Sequence, residues 1–210
     1  AIGVDGEGIP DIVKRVKDIQ KSDKVIVVCS APLTTINDQK ISLTDVILSL
    51  GKDPVNPDIS MEIVYQTYSK ILEMVNDDYK EECKKIIHDM LVLASKSLED
   101  AKSIGKFEDE TRAKSLAYSG EVLMSHVLNF VLKSNGIKSE TISLDDWPII
   151  TDENIESTNF LFAKSNERIK KLEDLIKQND VVTIGGFIGK TEDGIITTYE
   201  RGGSDRTAAD

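Results

Sequence analysis

Cysteine is almost missing from this chain of 210 residues, which has only Cys29 and Cys83. Two thiols so far apart make neither a disulfide framework nor a zinc site. Cys29 ends an apolar run and Cys83 falls in a helical pattern, so both are expected to be buried thiols in a reducing, cytoplasmic setting. Basic charge is also short, with 26 Lys and Arg against 37 Asp and Glu and a net charge of −11. That balance excludes nucleic acid as the main partner, because phosphate backbones are held by clustered Lys and Arg. A small anionic substrate, which meets only local charge, stays open. No apolar run approaches the roughly 20 residues of a membrane span, and no signal peptide opens the chain, so no membrane partner is expected. The first residue is Ala, as in a processed or cut chain. There is no nucleophile–His–acid arrangement and no metal-ligand spacing. Gly189-Lys190-Thr191 has Ile184, not glycine, five positions before it, so the P-loop pattern is incomplete. His88, His126 and Trp147 read as structural residues.

The apolar content of 40% and charged content of 30% fit a folded globular domain, and the length fits one domain. The segment "PDIVKRVKDI" puts Ile12, Val13, Val16 and Ile19 on one face of a helix. A buried strand, Lys24 to Cys29, then opens into a loop at Ser30, the kind of strand end where α/β proteins place ligands. Two amphipathic helices follow. Met61, Val64, Tyr65, Tyr68, Ile71, Leu72 and Val75 make the first stripe, and Cys83 to Leu98 the second, with "NDDYKEEC" as a charged turn between them. Tyr65 and Tyr68 suit a core or an interface equally. A third helix runs through "SLAYSGEVLMSHVLNFVLKSNG" and closes at Gly136. "SETISLD" and "VVTIGGF" read as strands with a helix between them, a βαβ unit that implies a parallel sheet. "FIGKTEDGIITTY" reads as a hairpin turning at Asp193-Gly194. The expected fold is α/β, with helices on both faces of a mainly parallel sheet.

Three places could carry chemistry. In "ERGGSD", Ser204 or Asp205 would open a short helix near its N-cap, the glycines would let a ligand approach, and Arg201 would offer a planar cation. An ordinary capped turn with a surface arginine fits the same residues. Gly185 and Gly186, in "GGFIG" at a strand end, either admit a phosphate to the backbone or permit a bulge, and the bulge is the simpler reading. Glu121 lies off the apolar face of its helix, next to Gly120, a residue that weakens a helix by about 1 kcal/mol relative to alanine. Glu121 is either a solvated carboxylate or a partner for a substrate ammonium group.

With these residues in place, the chain resembles the aspartokinase branch of the amino-acid kinase family. The segments that carry the resemblance are "VVCSAP" with "TTIND", "YSGEVLMS", "LDDWPIITD", "GGFIGKTEDGIITT" and "RGGSD" followed by "TAA". They stand in the family's order and span nearly the whole chain. The resemblance implies a three-layer αβα sandwich and ATP-dependent phosphorylation of the β-carboxylate of L-aspartate, with Mg²⁺ carried on ATP. That reaction is the first step of aspartate-family amino-acid biosynthesis, toward lysine, threonine and methionine. It also implies a homodimer or higher homo-oligomer.

By the same resemblance, Ser30 lies beside the carboxylate that receives the phosphoryl group. Glu121 holds the substrate ammonium, Arg201 pairs with the α-carboxylate, and Ser204 helps position it. Asp205 organises a catalytic lysine and the transferring phosphoryl group. The family's substrate threonine falls at Ile36, and Thr35 is adjacent, so either the loop is shifted by one residue or the contact is lost. Glu200 stands where glycine is usual, close enough in sequence to offset Arg201, and Arg206 stands where an aromatic residue is common. Residues 1–210 are expected to be the substrate-binding portion of the kinase domain, without the first-strand lysine motif, the nucleotide-binding segment or ACT domains. Such a chain by itself is expected to be inactive. The alternatives are a kinase for another carboxylate or carbamate, and a catalytically silent amino-acid-binding homologue or regulatory subunit.

Overall fold

The structure, a computed structural model, describes residues 1–52, 56–200 and 203–209. In chain order its elements are α1 (Ile9–Ile19), β1 (Val25–Cys29), β2 (Leu33–Ile36), β3 (Gln39–Ser42), α2 (Leu43–Leu50), α3 (Met61–Leu72), α4 (Asp77–Ile104), α5 (Asp109–Ser119) and α6 (Glu121–Ser134). Then follow β4 (Ser139–Thr141), α7 (Phe162–Lys171), α8 (Glu173–Gln178), β5 (Val181–Gly185), β6 (Ile188–Lys190), β7 (Ile196–Thr198) and α9 (Gly203–Ala209).

The β-branched run "VVTI" becomes the central strand. β5 is buried along its whole length and pairs in parallel with β1 on one side and β4 on the other. Because the strands are parallel and paired in register from Val25↔Val181 to Cys29↔Gly185, β1 and β5 end together. A last hydrogen bond, from the Gly186 N–H to the Cys29 carbonyl at 2.8 Å, carries the pairing one step further. On one face lies α6, tied to the sheet by the Thr183 hydroxyl donating to the Ser125 carbonyl at 2.9 Å. Helices α3, α4 and α5 stack behind it, and nearly every residue from Glu121 to Leu132 is buried. The alternation of the strand sends Ile184 to the opposite face. There, side chains of α1, α7, α8 and α9 surround an apolar groove of about 470 Å³. The fold is α/β with helices on both faces of a parallel sheet, as expected.

Several local expectations are corrected. The charged stretch "NDDYKEEC" is not a turn between helices. Asn76 is the N-cap of α4, and Asp77 and Asp78 lie in its first turn, where acidic side chains favour the positive end of a helix. The single helix through Gly120 is two helices. Gly120 has φ −114° and ψ −115°, neither helical nor extended, and the chain turns there. Ile19 is 42% exposed instead of buried, because it sits in the last turn of α1 at the rim of the groove. Tyr68 belongs to the core, whereas Tyr65 is half-buried against it. The sequence reading also passed over a hairpin: β2 and β3 pair antiparallel around Asn37 and Asp38, both with positive φ, as a two-residue hairpin turn needs.

Other expectations hold. Gly136, at φ +74°, ends α6 with its N–H bonded to the Lys133 carbonyl, and Ile137 N–H reaches the Leu132 carbonyl. β6 and β7 form the expected hairpin, with Gly194 at φ +88°. No helix among the described residues is long and apolar enough to cross a membrane.

Both cysteines are buried and free. Burial pushes each thiol up to about 12, with the carboxylates of Glu121 (on Cys29) and Glu82 (on Cys83) adding to the effect. Iodoacetamide at pH 8 is therefore expected to leave both thiols unmodified in the folded protein and to label both in urea. Rapid labelling of Cys29 without urea, read by mass spectrometry, would contradict this.

Candidate functional site

The common end of β1 and β5 is the place to look, because helices α6 and α9 both begin there. Their approach explains the paired glycines. A Cβ on Gly185 would lie 2.8 Å from the carbonyl carbon of Glu121 and from the nitrogen of Val122. A Cβ on Gly186 would lie 2.6 Å from the Cβ of Ser204 and 2.8 Å from its hydroxyl oxygen. Each glycine thus lets one helix start press directly on the strand end, the close-packing use of glycine in α/β folds. The space beside each is filled by protein. In place of a bulge the chain makes a γ-turn: Phe187 has φ +65°, and Ile188 N–H bonds back to the Gly186 carbonyl at 2.8 Å. Thr207 in α9 secures it, accepting from the Phe187 N–H at 3.1 Å while donating to the Gly203 carbonyl at 3.0 Å. Sequence reasoning did not single out Thr207. Its place one helical turn after Gly203 was the available signal.

Glu121 is the unusual residue of this region. It is the first residue of α6 and only 5% exposed, so it is not a solvated surface carboxylate. Its Oε2 atom has no hydrogen-bond partner among the described residues. Burial raises its ionisation to about 7, while the backbone N–H groups of Glu121 itself and of Ala31 pull it part of the way back. The carboxylate acts in turn on two buried neighbours, Cys29 and Tyr68, and helps to hold both in their neutral forms. A buried carboxyl group with a free oxygen, at the mouth of a parallel sheet, can receive a cationic ligand group.

The fold brings five other expected residues to the same edge. Ser30 directly follows the Cys29↔Gly185 pair and is exposed. Gly185 and Gly186 lie beneath the two helix starts. Ser204 sits against Gly186, half-buried, with Asp205 next to it and exposed. Ser204 and Asp205 lie inside the first turn of α9, which begins at Gly203, so neither is its N-cap. Arg201 lies outside the described residues. Thr35 is not gathered in. It stands exposed on β2 opposite Lys40, and no hydrogen bond among the described residues joins it to Glu121, Ser30 or Ser204. Glu200 accepts from the Ser157 hydroxyl at 2.9 Å, and the Arg206 guanidinium lies over the Tyr199 ring, 5.2 Å from its centre. His126 is mostly buried, and burial holds it below its usual range, as expected of a structural histidine. Trp147 donates to the Ile188 carbonyl at 3.1 Å from within the core.

Comparison with known proteins adds to this geometry. The sequence pattern of the amino acid kinase family matches residues 1–210. Aspartokinase of Rickettsia felis is 30% identical over 123 residues, 59% of this chain and 29% of that protein. Aspartokinase of Geobacillus stearothermophilus is 33% identical over 109 residues, 51% and 26%. The matches thus cover between a quarter and a third of each relative's length. Among solved structures, Escherichia coli aspartokinase III in complex with aspartate and ADP superimposes with a TM-score of 0.76 at 21% identity, covering 100% of this chain and 46% of that one. The same enzyme in complex with lysine and aspartate gives 0.74 at 20% identity, covering 99% and 44%.

Proposed function

The chain belongs to the amino acid kinase family, and from that premise we propose that it serves the ATP-dependent phosphorylation of the β-carboxylate of L-aspartate. In that reaction a β-carboxylate oxygen attacks the γ-phosphorus of ATP, the bond to the bridging oxygen breaks, and aspartyl phosphate and ADP leave. The observation that carries the reading is Glu121: a buried carboxyl group with one free oxygen is a receptor for the α-ammonium group of an amino acid. Its place where β1 and β5 end agrees with the general position of ligands in open parallel sheets.

The remaining roles are those that the resemblance to the family implies. Ser30, exposed at the end of β1, lies beside the β-carboxylate. Arg201 binds the α-carboxylate as a fork of parallel N–H donors, and Ser204 helps to fix it. Asp205 orders the phosphoryl group and the lysine that contacts it. Gly185 and Gly186 form the floor of the mouth. Mg²⁺ enters as MgATP and neutralises phosphate charge, which matters because phosphoryl transfer rests on positioning and charge compensation. The same reading assigns the activity to the start of aspartate-family amino-acid biosynthesis, in the cytoplasm, in a homodimer or larger homo-oligomer.

The test is trapping of the acyl phosphate. Incubation of the full-length parent protein with MgATP, L-aspartate and hydroxylamine is expected to yield aspartyl hydroxamate, and Arg201→Ala is expected to abolish it in a folded variant. Aspartate binding by calorimetry without hydroxamate would replace the kinase with an amino-acid-binding subunit. Hydroxamate from another carboxylic acid alone would change the substrate.

A further inference from the structure

Tyr68 is buried in α3, far in sequence from any residue given a role above, and its ring is fully enclosed. Its hydroxyl donates to two backbone carbonyls at once, those of Ser119 at 2.9 Å and Gly120 at 3.0 Å. These are the last residue of α5 and the glycine at which the chain turns into α6. A helix ends with carbonyls that have no intrahelical partner, and in a dry interior something must satisfy them. Here the Gly120 carbonyl also accepts from Met124 N–H in α6, at 2.9 Å. Tyr68 therefore closes the end of α5 and braces the start of α6 with one hydroxyl.

The next residue is Glu121. Its backbone also meets Gly185, whose missing side chain lets the strand press on the Glu121 carbonyl. Glu121 thus leaves a junction clamped between α3 and β5. The Tyr68 proton is committed to the two carbonyls, so the phenol does not satisfy the free Glu121 oxygen, although it lies within that carboxylate's field. Among the described residues nothing else bonds that oxygen, which can receive a ligand.

We propose that Tyr68 is a positioning residue for substrate binding: by capping the α5–α6 break it fixes where the Glu121 carboxylate stands at the end of the sheet. It touches no substrate and acts only through Glu121. This inference rests on the reading of Glu121 as the ammonium receptor.

The test is Tyr68→Phe, which keeps the ring and removes only the hydroxyl, in the intact protein. If Tyr68 acts through Glu121, KM for aspartate rises roughly tenfold or more while KM for ATP is unchanged, since small misplacements of a binding group have large effects. In a Glu121→Gln background the same change adds nothing further to aspartate affinity. A purely structural role would lower the active fraction and leave both KM values alone, and that result overturns the proposal. A second readout needs no substrate. The Glu121 carboxyl titration, followed by carbon NMR, is expected to move from about 7 toward the ordinary carboxylate range in Tyr68→Phe, as water reaches the loosened junction. An unmoved titration overturns the positioning role. A moved titration in a protein that does not bind aspartate keeps Tyr68 as the brace of Glu121 and discards the aspartate reading alone.

Discussion

Replacing Glu121 by glutamine is expected to remove aspartate-dependent turnover and, in the same molecule, to make the free protein more stable at pH 8. Both effects come from one fact, the burial of a carboxyl group with an oxygen that no described residue satisfies. The sign of the stability effect follows from linkage. An unfolded glutamate ionises near 4.5, whereas Glu121 in the folded chain ionises at about 7. Between those values the folded state holds a proton that the unfolded state has released. Stability therefore falls as pH rises through this window, by about 1.4 kcal/mol per pH unit at the steepest and roughly 3 kcal/mol in all. Above pH 7 the loss is complete. Glutamine carries no such charge at any pH, so its variant should show a flat profile across the window and a higher urea midpoint at pH 8.

The functional half has the opposite sense. A substrate ammonium group stabilises the ionised carboxylate, so binding drives the proton off Glu121. Below pH 7 that release must be paid, and aspartate affinity is expected to weaken by up to tenfold per pH unit as pH falls. With glutamine the charge pair is gone, and kcat/KM for aspartate should fall at least about 100-fold, the usual scale for losing one partner of a buried charged hydrogen bond. Calorimetry in buffers of different ionisation heat would measure the released proton directly. Equal aspartate affinity at pH 6 and pH 8 would falsify this account of Glu121.

The second large effect is expected from Gly185→Ala. The new methyl carbon would sit 2.8 Å from two backbone atoms of the Glu121–Val122 peptide and 2.9 Å from the Glu121 carbonyl oxygen. No rotamer can relieve contacts with backbone, so either β5 or the start of α6 must move. β5 is the central strand, paired on both sides, and α6 is buried nearly throughout. Overpacking at such a junction is expected to cost about 3 kcal/mol, read as a lower urea midpoint with unchanged slope. Gly136→Ala is the contrast: nothing lies within 4 Å of its Cβ position, and only its φ of +74° opposes a side chain. That change should cost about 1 kcal/mol. If Gly185→Ala proved the milder of the two, the close approach of α6 to β5 would be wrong.

Much of the fold was legible because it rests on local rules. The run "VVTIGG" could only be a buried strand ending in glycine. Gly136 and Asp193-Gly194 announced left-handed turns that the structure contains. Periodicity identified the stripe from Cys83 to Leu98 as a core face. It misplaced the helix start because "NDDYKEEC" is polar, and polar residues suit a first helical turn as well as a loop. It also joined α5 to α6, since propensity treats a glycine between good helix formers as a tolerated flaw. It is a break because Gly120 takes φ −114° and ψ −115°, a conformation in which a Cβ would lie 2.8 Å from the Leu116 carbonyl.

For the site, the residue types were readable and their surroundings were not. Glycines at a strand end and a serine after an apolar run are patterns along one dimension. From the sequence by itself came the α/β class, the parallel βαβ unit, the glycines at the end of β5 and the segments shared with the family, because spacing and composition determine these. Glu121 could not be told from a solvated carboxylate, since helical periodicity places it off the core face. Its burial depends on β5, whose Gly185 lies against its backbone, and on α3, whose Tyr68 hydroxyl reaches the Ser119 and Gly120 carbonyls from 51 and 52 residues away. Tertiary structure alone decided that this carboxyl group would be dry, incompletely satisfied and ionised only near neutral pH. Desolvation is a property of all the atoms around a group, and no stretch of sequence holds them together.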